Sequence, residues 1–276
     1  SNKFISSLHS FKPDNQMPPV KILHLIQTSG PGGAETIIIN LVSNIDKEKY
    51  QSTVGLLKKG WLYEQLAANG ADVRIITSGG SFDFKLLYYL VKLINKERID
   101  LVHSHLMDMN FYSSIAAKLV GIPHIATEHG DIHHVSKNSR FGLKPKAISS
   151  LSTRLVFVSR FTQEAFLKRI SLDGRKTEVI YNGIDFRIFD REIDIKRKRA
   201  DLGIQEHDFV VGNVGNLYPV KGQTYLLQAA CRVLRRVPNV KFLVIGRGEL
   251  ENKLTQEAKN LKLGNHVLFL GFRGDT

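Results

Sequence analysis

The stretch Val20-Lys21-Ile22-Leu23-His24-Leu25-Ile26-Gln27-Thr28-Ser29-Gly30-Pro31-Gly32-Gly33-Ala34-Glu35 decides the fold class. Its short aliphatic run ends in a Gly/Pro cluster, which reads as a buried strand followed by a tight turn. Apolar residues then recur at Ile37, Ile38, Leu41, Val42 and Ile45, the stripe of a helix over residues 34–45. Strand, glycine turn and helix make one βα unit.

The unit repeats along the chain. Strand-like runs cover residues 52–57, 72–77, 101–104, 124–127, 154–158 and 178–181, with helix-like runs over 62–69, 84–96, 110–120 and 162–170. Near-continuous apolar strands alternating with helices predict an α/β fold, a parallel sheet with helices on both faces. A charged break follows over residues 185–205, containing Lys196-Arg197-Lys198-Arg199. A second series has strands at 209–214, 241–245 and 266–270 and helices at 223–236 and 249–262, with Pro238 stopping the first of these helices. The expected organisation is a tail (1–19), a first doubly wound unit (20–186), a charged linker (187–207) and a partial second unit (208–276).

Length and composition agree with two units. The chain has 276 residues, 42% apolar and 24% charged, which excludes collagen-like, coiled-coil and disordered classes. A lone Cys231 excludes an intrachain disulfide framework and suits a reducing compartment. No apolar run reaches the roughly 20 residues that span a bilayer. Thirty-nine Lys and Arg against 26 Asp and Glu give a net charge of +13, which asks for an anionic partner: phosphates, nucleic acid or an acidic membrane face. The chain opens on Ser1 and stops just past a strand-like run, which raises the expectation of a fragment.

Chemistry-bearing residues gather at strand ends. Gly30-Pro31-Gly32-Gly33 is either a tight turn without a ligand or a loop whose following helix N-terminus receives a phosphate. A dinucleotide fingerprint is incomplete: Glu35 stands at the third glycine position, and the second strand ends in Leu57-Lys58-Lys59 with no acid for a ribose. His103-Ser104-His105 ends the fourth strand and His129 follows the fifth. Ligands of open parallel sheets bind at the carboxyl ends of strands, so these imidazoles are candidates for hydrogen bonding or general base work, or are structural. Alternation points His103 and His105 to one side and Ser104 to the other. His133-His134 reads as a loop pair, with no carboxylate spaced to complete a metal site. Lys221 stands at the mouth of the helix over 223–236, a mobile cation suited to a pyrophosphate or simply an exposed lysine. Gly246-Arg247-Gly248 repeats the glycine turn at the same sheet edge. The run Lys196 to Arg199 reads as a solvated helix face. Lys137, Arg140, Lys144 and Lys146, flanking Phe141 and Leu143, read as a membrane-facing segment or an ordinary basic loop.

Seven segments together resemble the family-four glycosyltransferases of the GT-B fold, over residues 21 to 274. They are Pro31-Gly32-Gly33-Ala34-Glu35, Asp100-Leu101-Val102-His103-Ser104-His105, Ile125-Ala126-Thr127-Glu128-His129-Gly130, Val156-Phe157-Val158-Ser159, Val179-Ile180-Tyr181-Asn182-Gly183-Ile184-Asp185, Val214-Gly215-Asn216 through Lys221-Gly222, and Val267-Leu268-Phe269-Leu270-Gly271-Phe272. The resemblance implies two Rossmann-like domains, the first for the acceptor and the second for a sugar nucleotide. It implies His129 as the catalytic residue at the transferred sugar or its leaving phosphate. Gly32, Gly33, Asn216, Lys221 and Arg247 would serve the donor, and His105 and Glu35 the acceptor. Transfer would retain the anomeric configuration, with the sugar nucleotide as co-substrate and no metal or other cofactor. The expected partners are that donor and a hydroxyl acceptor, lipid-linked or a surface-polysaccharide precursor, in the cytoplasm at the inner face of the membrane, and no nucleic acid.

Asn216 stands where the family often has Arg, which makes Arg247 the candidate substitute cation. The family's paired glutamates would follow Thr276, so this chain alone is expected to bind donor poorly. Two further readings stand beside the transferase. One is a non-catalytic module binding a nucleotide sugar or an anionic headgroup. The other is a nucleic-acid binder, supported by charge and by no recognisable stacking or helix-turn-helix motif.

Overall fold

The first strand, β1 (Val20–Ile26), is buried from Ile22 to Ile26, as a strand covered on both faces of a parallel sheet must be. A computed structural model describes residues 18–76, 84–130, 143–168, 174–190 and 192–275. The expectations for residues 1–17, His133-His134, Lys137, Arg140 and Phe141 lie outside these. Two units divide the chain, one ending at Asp185 and one beginning at Phe186.

In the first unit β1 is followed by α1 (Gly33–Asn44), β2 (Tyr50–Leu56), α2 (Trp61–Ala68) and β3 (Asp72–Ile75). Then come α3 (Phe84–Glu97), β4 (Leu101–His105), α4 (Met107–Val120) and β5 (His124–Glu128). The unit closes with α5 (Leu143–Leu151), β6 (Arg154–Phe157), α6 (Arg160–Leu167) and β7 (Thr177–Val179). The strands pair in the order β3-β2-β1-β4-β5-β6-β7, all parallel. The order runs one way from β1 to β3 and the other way from β4 to β7. Right-handed crossovers therefore place helices on opposite faces and open a crevice between β1 and β4.

The pleat sorts the residues between those faces. His24 pairs in register with His103 and Ile26 with His105, so these four share one face, together with Val54 and Leu56 of β2. There α1 and α2 pack Ile38, Val42, Leu62 and Leu66 onto Ile26, Val54 and Leu56. On the opposite face Leu23, Leu25 and Val102 lie under Leu86, Leu90 and Ile94 of α3 and Met109, Ala116 and Ala117 of α4. Ala126, Leu155 and Phe157 extend that face under Ile148 of α5 and Phe166 of α6.

The second unit contains α7 (Ile195–Asp201), β8 (Phe209–Val214), α8 (Gln223–Leu234), β9 (Val240–Ile245), α9 (Glu251–Asn260) and β10 (Val267–Gly271). Its parallel sheet runs β10-β9-β8 over a core that includes Leu227, Phe242, Val244 and Leu254. The α/β class and parallel sheets match the sequence reading. The helix α5 does not appear in that reading. In α5, Lys144 pairs with Asp108 at 2.6 Å and lies over the Phe111 ring, so this lysine of the basic segment is committed within the unit. The run Lys196 to Arg199 belongs to α7, which buries no residue and is capped by Asp194, whose side chain accepts from the Arg197 N–H at 3.0 Å. Arg199 turns inward and donates to the carbonyls of Gln205 and Asp208 at 2.6 and 2.7 Å. Among the described residues no helix is long and apolar enough to cross a membrane.

Close backbone approach demands several glycines, Gly246 and Gly248 among them. Gly246, after β9, has φ 146, and a Cβ there would strike the Gly215 carbonyl. The same turns are tied by the Leu217 N–H donating to the Arg247 carbonyl at 3.0 Å. Gly246→Ala is expected to destabilise the second unit by at least ~2 kcal/mol, since backbone strain and collision add. Urea unfolding measures it; a loss below about 0.5 kcal/mol, the range of neutral surface changes, would contradict the packing.

Candidate active site

The carboxyl ends of β1, β4 and β5 carry the first unit's candidate residues. After β1, Gly32 caps α1 in extended conformation without a side-chain hydrogen bond. Glu35, in the first turn of α1, is buried, and its carboxylate lies so close to Gly32 that any side chain there would meet it. A carboxylate at the third helical position folding back on the cap is electrostatically favoured by the helix's positive end. The Gly32-Gly33 turn therefore already faces an anion of its own.

His105 is the last residue of β4, and its Nδ1 lies 2.9 Å from Nε2 of His129, just beyond β5. His105 is 1% exposed, so it stands behind His129. His103 lies on the same face, its ring centroid 4.3 Å from that of His105, as alternation predicts. His24 follows at 5.4 Å from His103. Four imidazoles thus run in a row from β1 to the sheet edge. The Nε2 of His24 lies 3.2 Å from Ser52 Oγ, and that of His103 lies 2.8 Å from Thr127 Oγ1.

Burial keeps the row neutral. It lowers the pKa of both His24 and His129 to about 4. His103 and His105 are held well below the ordinary value, first by burial and then by neighbouring histidines. His129 is therefore a neutral hydrogen-bonding group at pH 7, not a cation. The orphan atoms assign its tautomer. His105 Nε2 is buried with no partner among the described residues. A bare acceptor is tolerated there better than an orphaned N–H, so the proton sits on His105 Nδ1 and is donated to His129 Nε2. His129 then carries its own proton on Nδ1, as a donor.

The other face of the same strands holds a network that the sequence reading missed. Ser104 Oγ donates to Asn110 Oδ1 at 2.7 Å, and the Asn110 amide donates to the Thr127 carbonyl and to Glu128 Oε1 at 3.1 and 2.9 Å. Ser104 has one proton, so His124 Nε2–H donates to it at 2.7 Å and His124 Nδ1 accepts from Ser152 at 2.9 Å. This chain pins the end of β5 immediately before His129. Leu106, directly after His105, has φ 70, a strained value for a bulky residue, with its N–H donating to the Thr127 carbonyl at 3.2 Å. Gly130, with φ 104, turns the chain after His129 where a side chain would be strained.

In the second unit Asn216, Lys221 and Arg247 lie in the turns after β8 and β9, on one sheet edge. Lys221 is exposed and precedes Gly222, which caps α8 with φ 71. The Gln223 amide donates to the Asn216 carbonyl at 3.3 Å, which ties the turn to the helix. Arg247 stacks over Phe272 at 5.3 Å from its centroid.

The neutral imidazoles make stability pH-dependent. Free histidine titrates near 6.5, while His24 and His129 titrate near 4 and His124 near 3 in the fold. Below 6.5 the unfolded chain binds protons that the fold refuses. Stability is therefore full above that pH and falls as pH drops from about 6.5 toward 4, by roughly 1.4 kcal/mol per pH unit for each such histidine. Urea midpoints are expected to fall from pH 7.5 to 5.5; unchanged or rising midpoints would contradict neutral burial.

Known proteins supply the family. Residues 31–187 match the profile of Glycosyltransferase Family 4, and residues 194–276 that of Glycosyl transferases group 1. The UDP-Gal:alpha-D-GlcNAc-diphosphoundecaprenol alpha-1,3-galactosyltransferase of Escherichia coli is 33% identical over 204 residues, covering 70% of this chain and 52% of that enzyme. The capsular polysaccharide biosynthesis glycosyltransferase CapH of Staphylococcus aureus is 24% identical over 84% of this chain and 63% of its own length. The chain thus spans about half to two-thirds of these relatives. Among solved structures, Anabaena HepE in complex with UDP-glucose has a TM-score of 0.79 at 27% identity, covering 92% of this chain and 70% of that one. With two parallel-sheet units of GT-B type and a family profile across most of the first, the chain belongs to glycosyltransferase family 4.

Proposed function

We propose that the protein transfers a hexosyl group from a uridine-diphosphate sugar to a hydroxyl of a lipid-linked or surface-polysaccharide precursor, with retention of configuration. The observation that carries this reading is the neutral His129, wired through His105 at the carboxyl edge of β5. The E. coli relative supports it by its name, which specifies a UDP-galactose donor and a diphosphoundecaprenol acceptor, and Anabaena HepE by its complex with UDP-glucose.

In the proposed reaction the bond from sugar C1 to the phosphate oxygen breaks, and its electron pair leaves with the diphosphate. The acceptor oxygen bonds C1 on the same face, and its proton passes to a phosphate oxygen. A neutral Nδ1–H on His129 donates to the sugar or to the departing phosphate without adding a fixed charge. Lys221, beside the start of α8, neutralises the diphosphate, with Arg247 as second cation and Asn216 beside it. These groups replace a metal on the diphosphate. Gly33, with open space where a side chain would stand, lets the donor approach the turn, and Glu35, whose carboxylate lies against Gly32, marks the acceptor side. The net charge of +13 suits both a diphosphate donor and an anionic membrane face, in the cytoplasm.

Calorimetry and turnover assays with UDP, UDP-glucose and UDP-galactose test the proposal. Lys221→Ala is expected to weaken UDP binding about tenfold to a hundredfold, the worth of one charge-assisted hydrogen bond. His129→Asn is expected to keep UDP affinity and lose roughly 100-fold to 1000-fold in turnover. Unchanged binding in Lys221→Ala would overturn the donor assignment. UDP-sugar binding without turnover in the unmutated protein would instead favour a non-catalytic binding module.

A further inference from the structure

The row of histidines contains an arrangement beyond the His105–His129 contact that the transfer reaction draws on. His24, His103 and His105 each offer a ring nitrogen, and these nitrogens all lie within 4.8 Å of one another. In each ring the other nitrogen is already held. Ser52 Oγ holds His24 Nε2, Thr127 Oγ1 holds His103 Nε2, and His129 holds His105 Nδ1. Those bonds make His24 Nδ1, His103 Nδ1 and His105 Nε2 the candidate ligand atoms. Two of these, His24 Nδ1 and His105 Nε2, are buried with no partner among the described residues, in side chains that are 1% exposed.

A buried polar nitrogen without a partner is costly, so two in one cluster call for a compensating ligand. One nitrogen held by a neighbour and the other bare is the signature of an imidazole that ligates a metal, because the outer partner sets tautomer and ring orientation. The proton assignment at His105 gives the same answer: with its proton on Nδ1, the Nε2 lone pair is free. We propose that His24, His103 and His105 form a three-imidazole site for a divalent cation of the zinc class.

The chemistry selects the ion. Three neutral nitrogens and no carboxylate suit zinc, cobalt, nickel or copper, whereas magnesium and calcium ask for oxygen. Metal–nitrogen bonds of about 2.0–2.1 Å draw ligand nitrogens to roughly 3.3 Å in a tetrahedron, so the rings close in from their present spacing. Water or hydroxide takes the fourth position. The site joins β1 to β4 and stands behind His129, apart from the diphosphate. Its outer partner Thr127 fixes His103, and His129 itself fixes His105, so an ion here holds the His129 ring in its donor tautomer.

The test uses the whole protein, stripped with a chelator and titrated with zinc chloride or cobalt chloride alone. One tightly bound equivalent, an upward thermal shift and the visible bands of tetrahedral cobalt are expected. Thr127→Val, which keeps all three ligands, is expected to weaken zinc about tenfold to a hundredfold, the effect of losing an outer partner. His103→Gln is expected to lose the cobalt bands, whereas His207→Gln, at an exposed position of the second unit, keeps them. X-ray absorption on the unmutated zinc-loaded protein does not depend on the variants folding and is expected to count three imidazoles. Fewer than three, no stoichiometric zinc, or binding unaffected by both Thr127→Val and His103→Gln would overturn the proposal.

Discussion

Everything in the first unit follows from the parallel pairing of β1 with β4. These strands are separated by two complete βα units, yet they are neighbours because the sheet grows in opposite directions from that line. The pairing sends helices to both faces and opens the crevice at the carboxyl edge. It also sets His24 beside His103 and Ile26 beside His105. A slip of β4 by one residue in that register would turn His103 and His105 to the α3–α4 face, onto Leu86, Leu90 and Met109, and leave His24 behind. The aliphatic neighbours thus specify where the polar row stands.

Around that pairing the two faces of the sheet do different work. One face carries the neutral imidazole row from His24 to His129. The other carries the chain from Ser152 through His124, Ser104 and Asn110 to Glu128. Both end at residues 127–129, so the backbone that presents His129 is held from two sides. Strain concentrates at the same place, in Leu106 with φ 70. Rigid support of this kind is what a donor of one directed hydrogen bond requires.

Much of this was legible in the sequence, and the physical reasons are specific. Strand periods located each strand among the described residues to within a residue or two, because two-sided burial leaves continuous apolar runs. The helix α5 escaped because Pro145 and its lysines mask a stripe whose buried residues are Pro145 and Ile148. The helix α7 was legible only as the solvated helix face of Lys196 to Arg199, because it buries nothing and is held by Asp194 and Arg199 instead. His129 stood out from its position after a strand. The depth of His105 did not, since its burial depends on packing of the sheet face and not on neighbours in sequence. Asn110 and His124 were invisible for the same reason: their partners lie six to twenty-eight residues away. The carboxylate of Glu35 over Gly32 shows how a glycine turn with the composition of a phosphate loop can already answer its helix dipole internally.

In the proposed function a neutral His129, held as an Nδ1–H donor by His105, meets a nucleotide-sugar donor. Nitrogen-15 spectra of the histidine side chains at pH 7, with and without UDP-glucose, measure this most directly. Neutral rings with the proton on Nδ1 in both His105 and His129 are expected, with a shift of the His129 resonances when UDP-glucose is added. An imidazolium at His129, a proton on its Nε2, or resonances indifferent to the sugar nucleotide would contradict it.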